Sequence, residues 1–243
     1  MAKFTYQEQD PEGLHTLEAI HAAHRFNRWM YEQVAPWMQG EILEIGSGIG
    51  NISSHFVEQS SRILLSDIRD SYCEVLRKTF PDSPVRNIDL VHPGFQSVYA
   101  DLSGRFDSAF ALNVVEHIED DQLALKNLMS LLKPGGRVLI LVPAWPFLYN
   151  RIDTGLCHFR RYTPRSLRTL FSDAGLMLEK DWMFNALGIP AWFTGGRIQG
   201  KKEIEGGQMN AYEKLVPLAR VLDKVTFNKI GLSAIAVGRK AMV

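Results

Sequence analysis

At 243 residues the chain exceeds the common single-domain size of about 100 to 150 residues, yet it suits one α/β domain with a single core and an insertion. With 46% hydrophobic and 22% charged residues, five Trp and thirteen Phe, its composition excludes a disordered chain. Lys plus Arg and Asp plus Glu each number 27, which excludes a whole-molecule field that would draw it onto nucleic acid or acidic lipid.

The opening MAKFTYQEQD lacks the apolar core of a secretory signal, and no run approaches the ~18 to 20 apolar residues of a membrane span. Residues 14–38 carry apolar groups at helical spacing up to Pro36 and predict one or two helices. EILEIG (41–46) predicts a strand, NISSHFVEQS a helix from about Asn51, RILLSD (62–67) a second strand, and Tyr72 to Phe80 a helix. PVRNIDL (84–90) predicts the third strand and FDSAFALN (106–113) the fourth. Asp120 or Asp121 then caps a helix that stops at KPGG (133–136), before the apolar strand RVLILVP (137–143). Thr163 as N-cap, Pro164 at N1 and Gly175 as the stop define a further helix. LMLEKDWMF (176–184) and SAIAVGRKA (233–241) predict strands divided by a long aromatic-rich insertion. Strands alternating with helices imply right-handed crossovers and a mostly parallel, doubly wound sheet.

EILEIGSGIGN (41–51) places glycines at 46, 48 and 50 straight after a strand. Gly46 allows a sharp turn, Gly48 lets a ligand touch the backbone, and Gly50 lets the next helix pack closely. A helix start beyond the loop presents unpaired N–H groups. The dinucleotide pattern GxGxxG would need glycine at 51, where Asn stands, and a P-loop needs GxxxxGK[ST], which is missing. Glu44 instead suits a cofactor carrying positive charge, such as the sulfonium and ammonium of S-adenosylmethionine. Asp67, closing strand two, stands where an acid accepts hydrogen bonds from ribose hydroxyls, and Asp89, ending strand three, is placed to meet an adenine amino group.

Through LEIGSGIGN, LLSDI, RNIDL, FDSAFALNVVEHIEDD and LLKPGGRVLILVP, residues 41–184 resemble the class I S-adenosylmethionine-dependent methyltransferases, of the bacterial kind grouped with the type 11 and type 12 methyltransferase domains. The resemblance implies a Rossmann-like α/β fold with a seven-stranded mixed sheet in order 3-2-1-4-5-7-6, the last strand antiparallel. It divides one domain into an N-terminal helical cover (1–40), a cofactor-binding core (41–184), an insertion or lid (185–232) and the last strand (233–243). It implies that Glu44, Gly46, Ser47, Gly48 and Asn51 line the methionine moiety, Asp67 with Ile68 the ribose, and Asp89 with Leu90 the adenine. Asn113 would offer its carbonyl to the cofactor ammonium, and Arg25, on the helical cover, would reach its carboxylate.

Methyl transfer from a cationic sulfur is dominated by positioning and desolvation, so a base is optional. If the acceptor is a hydroxyl, His117 in NVVEHIEDD and His158 in CHFRRYT are the candidate bases; the alternatives are a hydrogen-bonded structural or cofactor-shell role for His117 and a solvated loop role for His158. Arg160, Arg161 and Tyr162 precede the capped helix and suit a phosphate or carboxylate on the substrate, or else ion pairs with EHIEDD. Cys73 and Cys157 stand alone, with no CxxC and no metal-type cluster, so neither a disulfide framework nor a metal is expected and a reducing cytoplasm fits. Trp192, Phe193, Tyr212, Leu215 and Leu218 make the insertion an apolar substrate wall or a dimer interface. The expected activity is methyl transfer to a small or lipid-like acceptor, at oxygen, by a monomer or homodimer that does not act on nucleic acid. A cofactor-binding scaffold and an NAD-dependent oxidoreductase are the alternatives.

Overall fold

A computed structural model of the protein describes Glu8 and residues 10–242. The rest of the opening stretch read for a secretory signal, and Val243 at the end of the expected last segment, lie outside the described residues. The chain begins with α1 (Pro11–His21) and α2 (His24–Val34), followed by a single 3₁₀ turn over Ala35–Trp37. Asp10 caps α1 by accepting from Gly13 N, and Pro11 occupies N1, where no N–H is needed.

The core then runs β1 (Glu41–Ile45), α3 (Ser53–Glu58), β2 (Arg62–Asp67), α4 (Asp70–Thr79), β3 (Val85–Asn87), α5 (Phe95–Val98), β4 (Phe106–Leu112), α6 (Asp121–Leu131) and β5 (Leu132–Pro143). It continues through α7 (Arg151–Gly155), α8 (Pro164–Asp173), β6 (Met177–Phe184), α9 (Gly188–Phe193), α10 (Gly206–Val225) and β7 (Ser233–Arg239). The sheet order is β3-β2-β1-β4-β5-β7-β6, with β7 antiparallel to both of its neighbours. This is the expected seven-stranded mixed sheet.

Two layers cover it, and strand alternation decides which side chain goes where. Leu43 and Ile45 face a core completed by Leu128, Leu131, Leu170 and Phe171 of α6 and α8. Ile42, Phe110 and Leu141 face the other way, onto Trp29 and Val34 of α2, Phe56 of α3 and Val216 of α10. Each such large side chain, once fully buried, contributes roughly 1.5–3 kcal/mol.

Three local readings change in the fold. The helix expected to stop at KPGG ends at Leu131, and the whole KPGG segment lies inside β5. Gly135, with φ +75°, donates its N–H to the carbonyls of Lys240 and Ala241, so the chain beyond β7 holds these residues in the sheet. The insertion is not one apolar wall. Val216 and Ala219 are buried, whereas Leu215 and Leu218 are exposed, because α10 packs its other face on α1 and α2. Trp192 turns inward toward Arg161. Among the described residues no helix is long and apolar enough to cross a membrane.

Candidate functional site

The carboxyl ends of β1, β2 and β4 converge on the glycine loop. Gly46 adopts φ +70°, and a Cβ there would collide with Val114 just beyond β4, so the loop and the NVVEH segment require glycine at this point. Asp67, at the end of β2, is 5% exposed. Its Oδ2 accepts from Gly48 N at 2.9 Å and its Oδ1 from Arg69 N at 3.0 Å. Burial raises its pKa against these bonds. Each carboxylate oxygen has a second lone pair, so the group retains capacity for two vicinal hydroxyls. Its acceptor chemistry therefore fits the ribose hydroxyls of an adenosyl cofactor.

Glu44 is buried, and its Oε2 accepts from Ser53 Oγ at 2.5 Å. The same carboxylate braces the start of α3. Burial pushes its pKa up to about 7 from an ordinary value of 4.5, against bonds from Ser53 and Ser47. Between those two values the folded chain keeps a proton that the unfolded chain releases, so stability falls as pH rises through that window. We expect Glu44→Gln to remove this part of the decline, up to about 3 kcal/mol between pH 4.5 and 7, as read by urea unfolding at a series of pH values.

The helical cover lies directly on this loop. A Cβ on Gly48 would come to 3.0 Å from Leu17 of α1. Asn51 donates to the Leu17 carbonyl at 2.9 Å, and its Oδ1 lies 2.8 Å from His21 Nδ1. Asp10 pairs with Arg69 at 3.0 Å, and the Glu8 carboxylate accepts from Asp70 N and Ser71 N. Gly50 instead faces the Phe80 ring beyond α4. Of the other expected cofactor residues, Ser47 and Leu90 are buried, and Ile68 and Asp89 are half-buried. Asn113 is exposed in a left-handed conformation with φ +53°.

Arg25 belongs elsewhere. It is exposed and lines a groove of about 350 Å³ between α2 and α10 with Arg28, Val216 and Arg220, and its backbone N–H donates to Glu213. The resemblance placed it on the helical cover within reach of the cofactor; the packing of α2 against α10 turns it outward.

A second group of side chains meets just past β4. His117, in a 3₁₀ turn over Val115–His117, stacks edge-on against His158 with ring centroids 4.6 Å apart. His158 Nδ1 lies 2.9 Å from Asp153 Oδ1, and Arg161 Nε donates to the same oxygen at 2.7 Å. Asp153 is 0% exposed. Burial alone would raise its pKa, but the His158 hydrogen bond and the Arg161 charge outweigh that and lower it. Trp192 adds an N–H to Asp153 Oδ2 and lies under the Arg161 guanidinium at 4.5 Å. Glu116 is 0% exposed, and both its oxygens lack a hydrogen-bond partner among the described residues. Burial pushes its pKa up to about 8. Burial, then the neighbouring His158, lowers His117 to about 3, which makes His117 a poor base near neutrality.

Two of the three RRY residues take up the alternative reading, ties to the EHIEDD segment. Arg160 donates to the Glu119 carbonyl and pairs with Asp121 at 2.9 Å. The buried Tyr162 donates its hydroxyl to Asp121 at 2.7 Å. Both tie the chain before α8 to the start of α6. Arg161 is committed to Asp153 and the Ala144 carbonyl, and only its Nη2 lacks a partner. Sequence reasoning missed Glu116, Asp153 and Trp192. A lone carboxylate beside a histidine signals nothing until the fold shows that it is buried. The two imidazoles and Glu116, from separate loops, also form a set of potential metal-ligating groups that no sequence spacing announced.

Residues 43–138 match the family described as a methyltransferase domain. The chain is 22% identical over 176 residues to a ubiquinone biosynthesis O-methyltransferase from Xanthomonas axonopodis pv. citri (strain 306), covering 67% of this chain and 72% of that one. It is 34% identical over 108 residues to a ubiquinone/menaquinone biosynthesis C-methyltransferase from Pseudomonas fluorescens (strain Pf0-1), covering 41% and 40%. Among solved structures it superposes on geranyl diphosphate C-methyltransferase from Streptomyces coelicolor A3(2), solved with Mg²⁺, geranyl diphosphate and S-adenosyl-L-homocysteine. That match has a TM-score of 0.63 and 12% identity, and covers 96% of this chain and 87% of that one.

Proposed function

Since the chain belongs to the class I S-adenosylmethionine-dependent methyltransferases, we propose that it methylates a small or lipid-like acceptor at oxygen. The observation that carries the choice of oxygen is coverage. The similarity to a ubiquinone biosynthesis O-methyltransferase extends over 67% of this chain, and that to the C-methyltransferase over 41%. The shorter match has the higher identity, so methylation at carbon is the second reading.

S-adenosylmethionine supplies a methyl group on a cationic sulfur that is already a good leaving group. In this reading Asp67 with Ile68 holds the ribose, Asp89 with Leu90 flanks the adenine, and Gly46, Ser47, Gly48, Asn51 and the Asn113 carbonyl line the methionine end. The contacts of α1 with Gly48 and Asn51 support a cover that excludes water from the loop. His158 is held by Asp153 through Nδ1, which leaves Nε2 free to receive the hydroxyl proton. Free cysteines at 73 and 157 support a reducing, cytoplasmic setting. A monomer or homodimer acting on no nucleic acid remains part of the proposal.

The test combines thermal shift with turnover. S-adenosylhomocysteine at 100 times its Kd stabilises by about 2.7 kcal/mol, which raises Tm by roughly 5–10 °C for a chain of this size, while NAD leaves Tm unchanged. Incubation with hydroxylated aromatic and quinol-type acceptors then yields O-methyl products by mass spectrometry. C-methyl products alone would favour the second reading, and S-adenosylhomocysteine binding without turnover on any acceptor would favour a scaffold.

A further inference from the structure

We propose that Glu116, His117 and His158 form a binding site for one divalent transition-metal ion of the zinc, cobalt or manganese class. One ligand atom from each residue lies within 4.8 Å of the other two. Glu116 and His117 arrive on the turn after β4, and His158 arrives on the loop after α7. The glycine loop reaches the same turn through Val114.

The hydrogen bonds around the trio define which electron pairs are free. His158 Nδ1 is committed to Asp153 Oδ1 at 2.9 Å. Its partner is an acceptor, so Nδ1 carries the proton and Nε2 offers a lone pair, while the His117 ring stands edge-on to it with centroids 4.6 Å apart. Histidines that bind metal are oriented in this way, one nitrogen donating to a carboxylate or carbonyl and the other facing the ion. Glu116 supplies the third donor: it is 0% exposed and, among the described residues, neither oxygen has a hydrogen-bond partner. A buried, unpaired carboxylate is costly, and a cation removes that cost.

The local charge agrees. With neutral imidazoles, Asp153 balances Arg161, so Glu116, once ionised by the incoming ion, gives the cluster one net negative charge to set against the cation. Two imidazoles and a carboxylate select first-row transition ions over magnesium or calcium, which prefer all-oxygen sites. Three protein ligands leave a coordination position open. The role of that position rests on the proposed O-methylation: an acceptor hydroxyl coordinated there would release its proton to solvent water near neutral pH, so that His158, held as a ligand, would not be needed to take it. The binding of the ion does not depend on that reading.

The test uses the full chain, stripped with chelator and free of cofactor and acceptor. Titration with ZnCl₂ by calorimetry is expected to show one equivalent bound, and CoCl₂ to develop the ligand-field absorption of a nitrogen- and oxygen-ligated ion. Glu116→Gln and His158→Ala each lower the affinity at least about tenfold, and His24→Ala, at an exposed position on α2, leaves it unchanged. Because the ligand variants can also disturb folding, anomalous diffraction from cobalt-soaked wild-type crystals is the second measurement, with the ion expected between Glu116, His117 and His158. No uptake, equal affinity in the ligand variants, or an ion seated only elsewhere would each overturn the site while leaving methyl transfer with His158 as base intact. Metal uptake at the trio without O-methyl turnover would uphold the site and count against the acceptor reading instead.

Discussion

Asp67→Asn is expected to weaken S-adenosylhomocysteine binding by about 100-fold while leaving the unliganded fold close to its original stability. Asp67 is the carboxylate at the end of β2, bonded to Gly48 N and Arg69 N. A hydrogen bond to a charged group is worth roughly 1.5–3 kcal/mol, so losing the charge opposite two ribose hydroxyls removes about 3 kcal/mol, or 100-fold. Stability moves less because two effects oppose. The amide loses one acceptor toward the backbone N–H groups, but it also removes a buried charge whose pKa burial has raised. Calorimetry with S-adenosylhomocysteine and a thermal melt of the unliganded variant separate the two. Binding within threefold of wild type would remove Asp67 from the site.

The second large effect is on stability. Asp153→Ala is expected to cost about 3–5 kcal/mol, because it strands the Arg161 guanidinium without its counter-charge in a fully buried position. For a chain of this length that corresponds to a fall in Tm of roughly 10 °C. Asp153 also receives Asn150 N at the start of α7 and the Trp192 indole from α9, so the loss spreads across the loops above β5. The double variant Asp153→Leu with Arg161→Met is expected to recover most of it, since an apolar pair carries no desolvation cost. Urea unfolding of the three variants measures this. A single-variant loss below about 1 kcal/mol would show that water or a neighbouring group compensates Arg161.

Much of the scaffold was legible because its signals are local. Apolar runs such as RVLILVP mark strands buried on both faces, and Thr163 with Pro164 marks a helix start that the structure realises with a Thr163–Ser166 capping box. KPGG stops the helix as glycine and proline commonly do, but the strand expected from Arg137 begins at Leu132, because carbonyls from beyond β7 keep the segment in β5. The surroundings of Arg25 and of the pair Leu215 and Leu218 were not legible for a related reason. Helical spacing defines a face but not what the face meets, and the packing of α10 against α1 and α2 decided that.

The sequence by itself determined the strand and helix order, the glycine loop and the acids that close the first three strands. Periodicity, capping and turn chemistry act over a few residues, so these features are written where they occur. Only the tertiary structure decided that α1 lies on the glycine loop, that Arg161 is spent on Asp153, and that Glu116 is buried unpaired beside two imidazoles. Those facts depend on which loops the sheet brings to one edge and on how much water they exclude there, and desolvation of a charged group is a property of the folded surroundings rather than of the residues beside it in the chain.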